Sequence, residues 1–305
     1  FASVSIGIML CDQPTAAATD LLRNADTAMY RAKVNGRRRF ELYDAHLHSD
    51  ALRVLTIENA LWSALKQHQF VPYFQPIVSL KDGQVLGYEA LVRWQHPSEG
   101  LLAPADFLQV AEDSGSMEAI DWQIFGQACK LIAAQEGFAG YLGLNVAPRH
   151  FRNPHFCQQL LDMLKAAGLP PSRLCLEITE GALIDDPERT CDLLNELRSH
   201  GMSLALDDFG TGYSNLAYLQ RFPIHTLKID KTFIQDTDAN RSLAELIVSL
   251  STLMKLTAVA EGVETQEQLD WVAKRGIAQY QGYLYARPMP VQALTDWLLS
   301  HPPKP

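Results

Sequence analysis

The stretch SLALDDFGTGYSNL, residues 203–216, predicts a buried strand that ends in two adjacent acidic residues. The apolar run Leu204–Leu206 leads into Asp207 and Asp208, and two glycines follow within four residues. Neighbouring carboxylates repel each other unless a cation lies between them, and glycines let the backbone turn tightly or approach a ligand closely. An Asp that caps the next helix would give the same pattern. The stretch alone therefore leaves two interpretations open, a metal site and an ordinary strand-to-helix turn.

Alternating strands and helices extend outward from this stretch, from residue 71 to residue 300. A hairpin opens the series, because Asp82-Gly83 between two apolar runs marks a tight turn and makes the first strand pair antiparallel. The predicted strands are 71–80, 85–94, 141–146, 174–179, 203–206, 226–229, 258–260 and 277–281. The predicted helices are 103–114, 117–135, 154–167, 187–200, 215–220, 241–255, 266–275 and 291–300. Repeated βα units over about 235 residues indicate an α/β fold, an irregular (β/α)8 TIM-like barrel with an antiparallel first hairpin.

The chain divides into three predicted segments. Residues 1–43 hold a strand, a helix over 16–34 and a strand over 39–43, which is too little for a domain and predicts a small N-terminal α/β fragment. Residues 44–69 contain no glycine or proline and space their apolar residues as a helix does, so we expect a linker helix that packs onto the barrel at 70–305. The start at Phe1 suggests an excised piece whose parent could carry membrane segments.

Composition excludes several classes of partner. The formal net charge is −9 and no basic cluster exceeds Arg37-Arg38-Arg39, which argues against DNA or RNA polymers. A small anionic substrate would need metal ions. The five cysteines are scattered without a C-x-x-C spacing, which favours a reducing cytoplasm. No apolar run approaches the roughly 20 residues of a membrane helix, so we expect no membrane contact by this fragment.

Polar residues stand at the ends of most predicted barrel strands, where barrel enzymes carry their chemistry. Each has a structural explanation when taken singly, such as a buried ion pair, a turn or a helix start. Five acids at one mouth cannot all be structural, because they would repel each other or take up protons. The residues are Glu89, Asn145, Glu177, Asp207, Asp208, Lys228, Glu261 and Gln281.

Charge and ligand chemistry predict which ion balances these acids. Five carboxylates carry −5, and two divalent cations would return +4. Carboxylates with one amide suit Mg²⁺ or Mn²⁺ better than zinc. Four histidines lie outside these positions and are predicted to be surface or packing residues: His96, His150, His200 and His225.

Residues from about 55 to 302 resemble the EAL domain family of cyclic-di-GMP phosphodiesterases. The naming motif is Glu89-Ala90-Leu91, extended to Arg93. The other matching motifs are Asn145, Glu177 with Glu180 in LEITE, residues 207–212 (DDFGTG), Lys228-Ile229-Asp230, residues 261–264 (EGVE) and Gln281-Gly282-Tyr283. Ala147 and Asn215 stand where serine is common, and neither is an expected ligand.

The resemblance implies a role for each matching residue. It implies one metal held by Glu89, Asn145, Glu177 and Asp207, and a second held by Asp207, Asp208 and Glu261. It implies that Lys228, with Glu261 and Glu264, serves catalysis, and that Lys228 orients or activates the attacking water. Glu180 would brace the loop after Asp208. The substrate-binding residues would be Gln75, Leu91, Arg93, Asp230 and Gln281.

The resemblance also implies the reaction, two-metal hydrolysis of cyclic-di-GMP to linear pGpG in bacterial signalling, with two Mg²⁺ or Mn²⁺ as cofactors. A homodimer is expected, because the loop after the Asp pair and its helix commonly form a dimer contact in this family. Three alternatives stay open: a catalytically silent cyclic-di-GMP receptor, a Mg²⁺-dependent enolase-like lyase and a purely structural barrel. No expected ligand is missing, which disfavours the receptor, and the lyase would not explain the Asp pair with its glycine loop.

The N-terminal fragment resembles the end of a GGDEF (diguanylate cyclase) domain. Two matching stretches carry the resemblance, residues 3–8 (SVSIGI) and 25–33 (ADTAMYRAK). The GGDEF loop itself is missing from the sequence, and Arg38 stands where that family usually has Asn. We therefore expect a structural remnant without cyclase chemistry.

Overall fold

The computed structural model describes residues 4–11, 17–34, 38–43, 45–135, 138, 140–183, 186–210, 221–234 and 238–300. These residues form two compact units, one made of 1–67 with 105–116 and the other of 68–104 with 117–305. In the described residues, no helix combines the length and the hydropathy that a membrane span requires.

The first unit begins with a parallel strand pair joined by a helix. Strand β1 (Ile6–Ile8) pairs in parallel with β2 (Phe40–Leu42), and helix α1 (Ala18–Val34) connects them. Gly7 allows the helix to lie directly on the strand, because a Cβ there would be 1.9 Å from the Ala25 carbonyl oxygen. The predicted strand–helix–strand order is confirmed. Helices α2 (Ala45–Lys66) and α3 (Pro104–Ser114) follow.

The second unit is a closed barrel of eight strands. Its strands are β3 (Phe70–Ser79), β4 (Val85–His96), β6 (Tyr141–Asn145), β7 (Leu174–Thr179), β8 (Ser203–Phe209), β9 (Thr226–Ile229), β10 (Thr257–Ala260) and β11 (Gln279–Tyr280). The ring closes in the order β3-β4-β6-β7-β8-β9-β10-β11, and β11 pairs again with β3. Strand β3 runs antiparallel to both neighbours, and the other pairs are parallel. The predicted irregular barrel with an antiparallel first hairpin is therefore confirmed.

In the described residues, helices follow most of the parallel strands of the barrel. They are α4 (Met117–Ala133), α5 (Phe156–Ala167), α6 (Pro187–Ser199), the single turn α7 (Lys231–Ile234), α8 (Asp238–Met254), α9 (Gln266–Lys274) and α10 (Val291–Ser300). Short 3-10 helices cover Pro148–Arg152, Pro171–Arg173 and Glu180–Leu183. The predicted helix over 215–220, and the dimer contact expected there, lie outside the described residues.

The differences from the predicted elements concern short pieces and ends. Strand β5 (Gly100–Leu102), which pairs with β4 outside the ring, α7 and the 3-10 helices were not predicted, because three to five residues are too few to show a periodicity. Strand β8 runs three residues further than predicted, since Phe209 rejoins β9 beyond a register shift. Strand β11 has two residues instead of five.

Alternation along the strands separates the apolar core from the polar interior. In β7, Leu174, Leu176 and Ile178 join the large apolar cluster, so Cys175 and Glu177 project to the opposite face of the strand. In β8, Leu204 and Leu206 belong to the same cluster, which places Asp207 on the other face. The acids therefore face away from this cluster.

Candidate active site

In the part of the chain that the structure describes, one lysine lies among four carboxylates at the centre of the barrel. Lys228, on β9, is 2% exposed. Its Nζ lies 3.2 Å from Glu89 Oε2, 2.5 Å from Glu177 Oε2, 3.4 Å from Asp207 Oδ1 and 2.7 Å from Glu261 Oε1. The structure thus brings together five of the predicted site residues, and we call them the acidic centre. One ammonium group faces four acids there.

The strand register explains how distant residues meet in the acidic centre. Glu89 lies in β4 opposite Gly143 of β6, and Asn145 pairs with Glu177 of β7. Asn145 Nδ2 also donates a 2.7 Å hydrogen bond to Glu89 Oε1. Parallel strands present their carboxyl ends at one edge of the barrel, so acids far apart in sequence converge.

Gly143 gives the Glu177 carboxylate its position. A Cβ built on Gly143 would lie 2.2 Å from Glu177 Oε1. The carboxylate therefore occupies the space that a side chain on β6 would fill. Our sequence analysis did not identify this glycine, although a glycine inside a strand often marks a close approach.

Burial and mutual repulsion govern protonation in the acidic centre. Burial, followed by the charge of Glu89, raises the pKa of Glu177 well above its usual value. Burial also raises the pKa of Asp207, and it raises the pKa of Glu261 to about 8 in spite of the lysine. Burial alone would lower the pKa of Lys228, but the carboxylates, Asp207 foremost, raise it well above the ordinary lysine value. One ammonium does not compensate four carboxylates, of which three are buried and Glu261 is half-buried, and the site favours additional positive charge.

Asp208 lies at the rim of the centre in an unusual backbone conformation. Its φ of 53° is in the left-handed region, which Asp tolerates better than most residues. Its backbone N–H donates to Asp207 Oδ1 at 3.0 Å. Partial loss of hydration, then repulsion from Asp207 and Asp230, raises the pKa of Asp208 to about 6. The turn after β8 therefore presents a second carboxylate directly beside Asp207.

The acids form two groups that share one member. Glu89, Glu177 and Asp207 each offer an oxygen within 4.8 Å of the others, and so do Asp207, Asp208 and Glu261. Carboxylate oxygens are the donors that Mg²⁺ and Mn²⁺ prefer. The Lys228 ammonium already takes the place of a cation among these oxygens. The donor set therefore fits divalent metal ions, with Asp207 placed between the two groups.

Glu180 contacts the loop that follows the Asp pair. Its Oε1 accepts a 2.7 Å hydrogen bond from the Gly210 backbone N–H. Gly210 has φ 97°, and a Cβ there would lie 3.1 Å from both Phe233 and Ile247. The loop thus depends on glycine for its conformation and on Glu180 for a hydrogen bond. Its predicted bracing role stays a prediction.

Two glutamines form a hydrogen-bonded chain that ends on Glu89. Gln281 Nε2 donates to Glu89 Oε2 at 2.7 Å and to Gln75 Oε1 at 2.9 Å, and Gln75 Nε2 donates to the Ala286 carbonyl oxygen at 3.1 Å. Burial alone would raise the pKa of Glu89, but Lys228 and the hydrogen bonds from Gln281 and Asn145 lower it. Within the described residues Gln281 Oε1 is buried without a hydrogen-bond partner. It is available to accept a hydrogen bond from a ligand.

The other predicted residues lie around this centre at different depths. Leu91 and Arg93 follow Glu89 at intervals of two residues along β4, so the three side chains share one face of this strand. Arg93 is half-buried, and its guanidinium lies 5.6 Å from the centroid of the Tyr73 ring.

The structure does not bring Asp230 and Glu264 into either acidic group. Asp230 Oδ1 accepts hydrogen bonds from the Thr232 backbone N–H at 2.9 Å and from its hydroxyl at 2.5 Å, so it caps α7. Glu264 is exposed just before Thr265, which caps α9, and its backbone N–H donates to Gln268 Oε1. Among the described residues, neither belongs to the two acidic groups. Their functional roles stay predictions.

A buried pair that our sequence analysis missed supports the turn after β6. Asp121 Oδ2 accepts hydrogen bonds from the Ala147 backbone N–H at 3.1 Å and from His150 Nε2 at 3.0 Å. His150 is 1% exposed and packs against Trp122. Ala147 follows Asn145 by two residues, so this pair, which we call the Asp121–His150 pair, holds the backbone beside the acidic centre. A single Asp within a predicted helix does not indicate that its side chain supports a turn elsewhere in the barrel.

Fold and site together define an α/β barrel with an acidic centre suited to divalent metal ions. The sequence profile of the EAL domain matches residues 58–288, and the chain belongs to the EAL domain family. It is 37% identical to the cyclic di-GMP phosphodiesterase NbdA of Pseudomonas aeruginosa in an alignment that covers 98% of this chain and 39% of that protein. It is 36% identical to MucR of the same organism, named a bifunctional diguanylate cyclase/cyclic di-GMP phosphodiesterase, over 96% of this chain and 44% of that protein.

A solved structure agrees with the barrel assignment. The structure titled "PaMucR Phosphodiesterase, c-di-GMP complex" superposes with a TM-score of 0.75 at 35% identity, covering 78% of this chain and 99% of that one. The chain spans about two fifths of the length of these two curated relatives.

Proposed function

We propose that this domain is a metal-dependent phosphodiesterase that hydrolyses cyclic-di-GMP to linear pGpG. The observation that carries the proposal is the acidic centre, where three buried carboxylates and the half-buried Glu261 share one ammonium and Asp207 belongs to both acidic groups. Two relatives are named cyclic di-GMP phosphodiesterases. NbdA of Pseudomonas aeruginosa is 37% identical to this chain, and PdeR of Escherichia coli is 33% identical to it. The MucR structure is that of a complex with c-di-GMP.

The residues present would hold two cations, Mg²⁺ or Mn²⁺. Glu89, Asn145, Glu177 and Asp207 would hold one, and Asp207, Asp208 and Glu261 the other. When bound, such ions supply positive charge to the phosphodiester and make hydroxide accessible near neutral pH. The excess negative charge of the centre is the physical reason that the ions bind.

The chain's own residues would position substrate and water. Lys228, which lies among the carboxylates, would hold the attacking water in line with the P–O3′ bond. The water loses a proton as its oxygen bonds to phosphorus, the P–O3′ bond breaks, and the 3′ oxygen takes up a proton and leaves as a hydroxyl. The unpaired Gln281 Oε1 and the half-buried guanidinium of Arg93 would bind the nucleotide, with Gln75 holding the Gln281 side chain in place.

Hydrolysis is tested by incubating the protein with cyclic-di-GMP and Mg²⁺ and separating the nucleotides. We expect linear pGpG, with none formed in EDTA. A receptor would bind the ligand without releasing product, whereas a lyase or a structural barrel would neither bind nor convert it. Binding measured in Ca²⁺, which holds such sites without supporting this hydrolysis, separates these outcomes.

We also propose the domain organisation expected from the sequence, a GGDEF remnant at 1–43, a linker helix at 44–69 and the barrel at 70–305. The alignment with MucR, a relative named as both cyclase and phosphodiesterase, covers 96% of this chain and so includes most of the remnant. The parallel β1–β2 pair is consistent with one edge of a larger α/β domain. We retain the homodimer as part of this proposal, and light scattering of the purified chain tests it.

A further inference from the structure

A second cluster of metal-ligating side chains lies outside the acidic centre, on two helices of the barrel unit. Cys157 is in the first turn of α5, Glu196 is near the end of α6, and His200 is the C-terminal cap residue of α6. One donor atom from each lies within 4.8 Å of the other two. We propose that Cys157, Glu196 and His200 bind one zinc ion that joins α5 to α6.

The helix geometry brings the three donors to one place. Glu196 and His200 are four residues apart, so their side chains lie on the same side of consecutive turns. His200 keeps a near-helical backbone with φ −84° and ψ 1°, which preserves this relation at the cap. Cys157 is buried beneath them, with its Sγ within 4.8 Å of a Glu196 carboxylate oxygen and of a ring nitrogen of His200. Because Glu196 and His200 are exposed, an ion can enter from solvent and water can complete its coordination.

The donor set selects zinc over the ions proposed for the acidic centre. Thiolate, imidazole and carboxylate are all zinc ligands, whereas Mg²⁺ prefers oxygen alone. One thiolate and one carboxylate also cancel the charge of Zn²⁺. Ligands around tetrahedral zinc lie about 3.3–3.8 Å apart, given the usual bond lengths. Rotation of the two exposed side chains would supply the approach of about 1 Å that this requires.

The thiol carries its proton until a metal displaces it. Burial, together with the charge and hydrogen bond of Glu196, raises the pKa of Cys157 to about 12. Zinc must therefore displace that proton, as it does whenever it binds a cysteine. Without zinc, the same three residues would form only a thiol–carboxylate hydrogen bond beside an exposed histidine.

Cobalt(II) in place of zinc gives a direct readout, because a thiolate ligand produces an intense charge-transfer absorption that oxygen ligands do not. The full chain is titrated with Co²⁺ in excess Mg²⁺, which occupies the acidic centre. We expect the absorption to saturate at one equivalent in the parent and in Cys191→Ser, a control that removes a half-buried thiol of α6. It should be lost in Cys157→Ser. An absorption that persists in Cys157→Ser, or its absence from the parent, overturns the proposal.

Thermal unfolding with Zn²⁺ tests the two exposed ligands, whose replacement leaves the core intact. His200→Gln and Glu196→Gln should melt like the parent in EDTA and should hydrolyse cyclic-di-GMP normally in Mg²⁺. We expect each to bind Zn²⁺ at least roughly 10–100-fold more weakly. Substitution of a residue that only hydrogen-bonds to a metal ligand already weakens metal binding by this factor. The Zn²⁺-induced rise in melting temperature should shrink accordingly. An unchanged rise in both variants would contradict the site, whatever the outcome of the hydrolysis experiment.

Discussion

The barrel contains two clusters of buried ionisable side chains, and they differ in how fully their charges are compensated by neighbouring groups. In the acidic centre one ammonium, that of Lys228, faces four carboxylates. In the Asp121–His150 pair one carboxylate faces one imidazole and one backbone N–H, both at hydrogen-bond distance. Removing charges from water costs several kcal/mol per ion unless partners compensate them.

This difference in charge compensation distinguishes the acidic centre, a candidate functional site, from the Asp121–His150 pair, which supports the structure. The pair is complete with the chain's own atoms, whereas the acidic centre has more negative charge than its single lysine can balance. Substitutions in the centre should therefore change hydrolysis and the response to metal ions, and substitutions in the pair should change stability. The following predictions test this contrast, from the largest expected effect to the smallest.

Asp207→Asn should abolish hydrolysis, because Asp207 is the acid that the two groups share. The amide oxygen can still accept the hydrogen bond from the Asp208 N–H, and one repulsive charge is removed. We expect the free energy of unfolding to stay within about 1 kcal/mol of the parent value. Turnover in Mg²⁺ and urea denaturation measure the two quantities. Asp192→Asn, at an exposed position of α6, is the control, and parent-like turnover by Asp207→Asn would contradict the two-metal proposal.

Lys228→Ala should lower kcat by roughly 10²–10⁴-fold, the usual contribution of a group that orients water or transfers its proton. Affinity for cyclic-di-GMP in Ca²⁺ should change little, because the metal ions and Arg93 hold the phosphates. Turnover in Mg²⁺ and affinity in Ca²⁺ are measured on the same preparation. Affinity that falls as steeply as turnover would make Lys228 a substrate clamp or a residue that maintains the fold.

Asp121→Ala should lower the free energy of unfolding by roughly 3–5 kcal/mol, since it leaves His150 and the Ala147 N–H buried without their partner. Asp121→Asn keeps an acceptor oxygen and should lose much less. Urea denaturation of both variants in EDTA measures the difference. Equal losses would mean that packing volume, and not hydrogen bonding, gives Asp121 its importance.

The contrast also marks what the sequence could predict. The acids of the centre stand at strand ends, and the closed parallel barrel makes strand ends converge, so their meeting follows from periodicity and topology. Lys228 could be assigned to the same edge for that reason. Its contact with four carboxylates depends on side-chain packing across 139 residues of chain to Glu89, which no local pattern encodes.

The support around the centre was beyond prediction for related reasons. Asp121 lies in a helix with ordinary amphipathic spacing, and its partners come from the turn after another strand. Gly143 is recognisable only once Glu177 is known to lie over it. The short β5 and α7 show no periodicity, and the contact by which Asp230 caps α7 was not predicted, while its expected role at the substrate stays a prediction. In each case the deciding interaction is tertiary.

Glu180→Ala tests a residue that belongs to neither buried group but supports one of them. The variant removes the acceptor for the Gly210 N–H, and Gly210 follows Asp208 by two residues. A hydrogen bond to a charged group contributes about 1.5–3 kcal/mol, so misplacement of the loop should lower activity by roughly 10–100-fold at limiting Mg²⁺. Excess Mg²⁺ should recover part of this loss, because metal binding stabilises the arrangement of Asp207 and Asp208 that holds the ion.

The melting temperature in EDTA separates this role from a general structural one. We expect a small change there, since the contact lies in one loop and not in the apolar core. Glu180→Gln, which keeps an oxygen acceptor, should fall between the parent and Glu180→Ala, and Glu188→Ala on the exposed side of α6 should behave like the parent. Full activity of Glu180→Ala together with an unchanged Mg²⁺ titration would show that the loop after β8 keeps its position without this hydrogen bond. The support of Asp207 and Asp208 would then have to come from the glycine conformation at Gly210 alone.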